Sequence, residues 1–126
     1  MLLTRYEFDG QGIFHAMHVL EDVLSFADME DLLWAEKIFD DKLYSPSIEL
    51  DLQGEKHFTS YFTATGLKNF AEPLDIIVSL FQQAEDAGLG RLTIRMVDNA
   101  KGKILFQDEN QVVFRKVEVD YGQESV

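Results

Sequence analysis

His15, His18 and Asp22 stand three and seven residues apart, and on a helix that spacing places two imidazoles and a carboxylate on one face. Such a trio could share a metal ion. No fourth ligand or supporting partner accompanies it, and solvated side chains on the wet side of a helix give the same pattern. His57 lies near Ser60, but so many acids could complete a triad with them that the arrangement selects none. Gly88-Leu89-Gly90 leads from a helical pattern into a strand pattern, the reverse of the order a phosphate-cradling loop requires, and reads as a helix stop followed by a turn. Carboxylates are plentiful, yet none sits in an apolar run that would raise its pKa for acid–base work. The chain has no cysteine, which excludes disulfides, thiolate zinc sites and thiol nucleophiles and fits a cytoplasmic setting. No catalytic residue and no cofactor is assigned.

Charge is the stronger signal. Twenty-three acids against eleven bases give a net −12, which argues against direct binding to nucleic acid or to an anionic membrane. The imbalance is uneven. Between Glu21 and Asp51 ten acids face Lys37 and Lys42, a local −8, whereas between Gly88 and Glu118 six bases face four acids. Asp40 and Asp41 fall at the end of a predicted helix, where the helix dipole disfavours negative charge. Trp34 and Ile38 lie off that helix's apolar stripe, with Tyr44 close behind. An aromatic anchor ringed by charge is a common interface design, the anchor giving affinity and the charge giving on-rate. Glu30, Asp31, Trp34, Ile38, Asp40, Asp41 and Tyr44 are therefore the candidate partner-binding residues, and a basic protein is the partner they would suit. A tryptophan wedged between helix and sheet as plain core satisfies the same pattern.

The elements that must position these residues follow from periodicity. Leu2–Phe8 alternates as a strand, Asp9-Gly10 turns the chain, and a helix is predicted over Gln11–Leu24, with Ile13, Ala16, Met17, Leu20, Val23 and Leu24 inward. A second helix is expected over Asp28–Phe39, capped by Asp28, with Met29, Leu32, Ala35 and Phe39 inward. Ile48, Leu50 and Leu52 alternate with Glu49 and Asp51, so a strand here and another over Phe58–Phe62 predict a hairpin across Gln53–Lys56. The longest amphipathic stretch is Thr65–Gly88, with Thr65 as N-cap and Gly88 as stop; Pro73 predicts a kink or a restart near Glu72, and the apolar register that continues across it favours the kink. Arg91–Val97, Lys103–Gln107 and Gln111–Val119 then read as a three-stranded meander, and Tyr121–Val126 as a frayed polar tail.

The order β-α-α-β-β-α-β-β-β predicts one α+β domain over residues 1–120, with a mainly antiparallel sheet and helices on one of its faces. The expected function is that of a small acidic non-enzymatic interaction protein, an inhibitor or nucleic-acid mimic that docks its acidic helical surface on a basic protein. A homo-oligomeric accessory domain is the alternative. Val113, Val117 and Val119 would then offer the final strand as an edge for a homodimer. A metal-dependent enzyme using His15, His18 and Asp22 is the second alternative.

Overall fold

The computed structural model describes residues 2–22, 24–54, 57–98 and 102–115. Strand β1 (Leu3–Phe8) turns through Asp9 (φ 50°) and Gly10 (φ 79°) into the two-residue β2 (Gln11–Gly12). Two positive φ angles at Asp-Gly are the signature of a tight hairpin turn. Pairing of Phe8 with Gln11 and of Glu7 with Gly12 takes two residues from the predicted helix. What remains of it is one turn, α1 (Ile13–Ala16), followed by a 3-10 stretch, Met17–Asp22. Ile13, Ala16 and Leu20 are buried as expected.

Helix α2 (Phe26–Lys42) is longer than expected at both ends. Its N-cap is Ser25, whose Oγ accepts from the Asp28 N–H at 3.2 Å; Asp28 sits in the first turn, where its charge suits the dipole. Residues 48–52 are not a strand. Pro46 opens a short helix, α3 (Ser47–Leu52), in which Leu50 is buried and Leu52 points into solvent at 83 % exposure. A five-residue alternation is too short to separate one helical turn from a strand, and the proline and two acids favour the turn.

Without that hairpin, β3 (Phe58–Phe62) pairs elsewhere. The expected long helix is two helices, α4 (Ala64–Asn69) and α5 (Ala71–Asp86), meeting at Phe70 (φ −113°, ψ 20°). Pro73 explains the break. Its ring would crowd the Asn69 carbonyl of a continuous helix, whereas in the first turn of α5 its missing N–H costs nothing. Thr63, not Thr65, caps α4 by accepting from the Gly66 N–H. Gly88 does end α5. At φ 80° it carries the Gly88 N–H to the Glu85 carbonyl (2.9 Å) and the Leu89 N–H to the Ala84 carbonyl (3.0 Å), the paired bonds of a Schellman stop.

The last three strands, β4 (Leu92–Val97), β5 (Ile104–Gln107) and β6 (Gln111–Arg115), do not form a meander. β5 and β6 make a hairpin, β6 lies on β3, and β4 crosses the molecule to pair with all six residues of β1. The antiparallel sheet thus runs β2-β1-β3-β6-β5, with β4 on β1, and the class is α+β. β6 lies between two strands, so the edge expected at Val113 is already paired and Val113 is fully buried. Val117, Val119 and the predicted tail fall outside the described residues.

The main core joins Phe8 and Phe62 of the sheet to Leu32, Ala35 and Phe39 of α2 and Leu74, Ile77 and Phe81 of α5. A smaller cluster of Leu3, Val112 and Phe114 uses the alternate strand positions, hence the other face. Among the described residues no helix is long and apolar enough to cross a membrane.

Candidate functional site

Helix α2 buries Leu32, Ala35 and Phe39 against the core. At 3.6 residues per turn, Glu30, Asp31, Trp34, Ile38 and Asp41 then fall within about 100° of arc on the far side. Glu30, Asp31 and Asp41 are exposed, and Ile38 is half-buried, packed against the core edge. Trp34 is 44 % exposed, so it is not a core wedge. Lys37 shares this face. Among the described residues none of the acids of the Glu21–Asp51 segment forms an ion pair with a lysine or arginine; the ion pairs found there belong to Glu7.

Asp40 and Tyr44 are placed elsewhere. Asp40 projects from the flank of α2, one turn from Glu36, and this neighbour adds to burial in raising the Glu36 carboxyl above its ordinary range. Tyr44 follows the end of α2, with its ring 5.1 Å from that of Phe106 and its carbonyl accepting from Gln111 Nε2. Interaction with the Glu49 carboxylate, together with a little burial, raises its phenol above the ordinary value. Five of the seven candidate residues therefore form one surface and two form another.

Asp40 and Tyr44 border an open cleft of about 380 Å³ between α1, the end of α2 and β3. Phe14, Phe39 and Phe62 form its aromatic wall; Phe14 and Phe39 meet edge to face at 5.0 Å, and Arg5 and His15 reach its rim. Nothing in the predicted element order placed a cleft here. The available signal was Phe14, an aromatic residue off the apolar stripe of its predicted helix, as Trp34 is off its own.

His15, His18 and Asp22 do not share one helix. His15 closes α1, while His18 and Asp22 fall on the 3-10 stretch, so no single α-helix runs through all three positions. His15 and His18 are exposed, and His18 Nδ1–H donates to the His15 carbonyl at 3.1 Å. Among the described residues no three His, Asp or Glu side chains converge on a metal-sized space. His57 is exposed at the start of β3.

Comparison with known proteins finds no matching family model, no matching curated protein and no matching solved structure.

Proposed function

We propose that this is a small non-enzymatic interaction protein that presents the outer face of α2 to a basic protein partner. Trp34 carries the proposal. It stands 44 % exposed on the helix side opposite the core, with Glu30, Asp31 and Asp41 around it. An indole this exposed lies outside the core cluster, while on a partner it would supply further buried area at low conformational cost. The surrounding carboxylates, not held in ion pairs among the described residues, would steer a basic surface toward it. Such a surface can stand in for nucleic-acid phosphates on a nucleic-acid-binding protein, or block a basic toxin or nuclease.

The test is capture from a lysate of the native host on immobilised protein, eluted with rising salt. A basic protein should be retained at low salt, and its release should move to lower salt with Asp41→Lys. Trp34→Ala should abolish retention, while Asp86→Lys, at the exposed end of α5, should leave it unchanged. Identical capture by wild type, Trp34→Ala and Asp41→Lys would overturn the assignment.

A further inference from the structure

We propose that β4 is the seam of a homodimer, pairing antiparallel with β4 of a second copy about a two-fold axis through Ile94. Among the described strands β4 pairs with β1 alone, so its other edge is open. On the sheet face shared by the even-numbered residues of β1 and β4, two side chains at this edge are apolar and wet: Ile94 is 49 % exposed and Met96 60 %. An open strand with apolar side chains is a template for another strand.

The backbone selects the register. The Asp9 N–H donates to the Arg91 carbonyl at 2.9 Å, which fixes the phase of the β1–β4 ladder. In that phase Thr93, Arg95 and Val97 turn their N–H and C=O groups to β1. Leu92, Ile94 and Met96 therefore direct theirs to the outer edge, where the Leu92 N–H already donates to Glu85 Oε2 at 2.8 Å. Pairing Ile94 with Ile94 of the second copy joins the outward groups of Ile94 and Met96 to partners, while the Leu92 N–H exchanges the Glu85 carboxylate for the Met96 carbonyl of the second copy.

The side chains select the same register. With Ile94 on the axis, Leu92 faces Met96 of the second copy and Met96 faces Leu92, so one face of the seam is entirely apolar. On the other face Thr93 stands opposite Arg95 of the second copy. Moving the axis to Arg95 would set two arginines against each other, and moving it to Thr93 would leave Met96 without an apolar partner. Each copy carries a net −12, so the seam must form against long-range repulsion. Added salt therefore strengthens it, the opposite of the dependence proposed for α2.

The absence of native cysteine makes this directly testable. At the hydrogen-bonded separation of about 5.5 Å between Cα atoms, Ile94→Cys should oxidise to a disulfide-linked dimer. Thr93→Cys alone should not, because its two copies lie about 7–8 Å apart on the diagonal. Mixed with Arg95→Cys, which lies directly opposite, it should crosslink. Sedimentation of the wild type should show mass rising toward the dimer with concentration and with salt, and Met96→Lys should weaken that association by about tenfold or more. Trp34→Ala should dimerise normally, so loss of the α2 interaction and loss of the seam are read separately. A protein that stays monomeric throughout, with Ile94→Cys uncrosslinked, overturns the proposal. So does equal crosslinking of Ile94→Cys and Thr93→Cys.

Discussion

Arg5 and Arg95 stand directly opposite each other on β1 and β4, and each donates from Nε, at 2.7 Å, to the same carboxylate, that of Glu7. Like charges at directly opposed strand positions repel. Glu7, two residues beyond Arg5 on the same face, accepts one bond on each oxygen and turns the repelling pair into a bridge. Arg5 spends a further N–H on the Ser60 carbonyl at 3.1 Å, so the bridge ties β4, β1 and β3 together.

Glu7 should therefore hold pH-dependent stability. Burial pushes its carboxyl up, but the hydrogen bonds and charges of Arg5 and Arg95 outweigh burial and hold it below the usual range. A folded value below the unfolded one means the stabilisation is complete above the unfolded pKa, near 4.3, and is lost as pH falls through the folded value. Glu7→Gln should cost about 2 kcal/mol at pH 7, tempered by the exposure of Arg95, and the gap between the two proteins should narrow as pH falls to about 3. Urea titrations at both pH values measure it; a gap independent of pH contradicts it.

Glu36 should behave in the opposite sense. Burial, followed by the Asp40 charge, raises its carboxyl, so its ionised form costs stability once pH rises through the folded value. Glu36→Gln should gain at most about 0.5 kcal/mol at pH 7, the scale of a like-charge helix pair, and nothing at about pH 3. A loss of stability at neutral pH would show that Glu36 has a favourable partner instead.

These two carboxylates mark what the sequence makes legible. Glu36 and Asp40 are four apart, and their conflict can be read from spacing, as can the Gly88 stop and the Asp9-Gly10 turn, because each depends on neighbours within a few residues. The Glu7 bridge depends on Arg95, 88 residues away. Nothing local foretells that β4 crosses to β1 when a six-residue link would also allow a hairpin with β5. The same limit divided the partner-binding candidates: composition could group Asp40 and Tyr44 with Trp34, but only the end of α2 decides that they turn toward the aromatic cleft.

Thr4 offers a stabilising substitution. It is buried on β1, opposite both Phe62 and Met96, and among the described residues its Oγ1 has no hydrogen-bond partner. Thr4→Val keeps the shape and the strand preference while removing an unsatisfied hydroxyl, and should gain about 1 kcal/mol. Thr4→Ser keeps the hydroxyl, loses the methyl and should destabilise. If Val proves worse than Thr in thermal unfolding, the hydroxyl has a partner after all.

Gly66 sets two local rules against each other. It lies inside α4, where alanine is preferred to glycine by up to about 1 kcal/mol. Yet a Cβ there would lie 2.0 Å from the Asn110 backbone oxygen, far inside contact distance. That turn is not free to retreat, because Thr63 N–H donates to the Asn110 carbonyl at 3.0 Å and Asn69 Nδ2 to Asn110 Oδ1 at 2.9 Å. Thr63 Oγ1 also donates to the Glu109 carbonyl while capping α4. Overpacking against backbone held this way costs about 3 kcal/mol, so Gly66→Ala should lose about 2 kcal/mol net. Thr63→Ala should lose about 1 kcal/mol through its cap. Because both changes free the same turn, the double variant should be less destabilised than the sum. Denaturant unfolding of the three variants gives the answer, and a Gly66→Ala protein as stable as the wild type would mean that helix preference, not the contact with Asn110, governs this position.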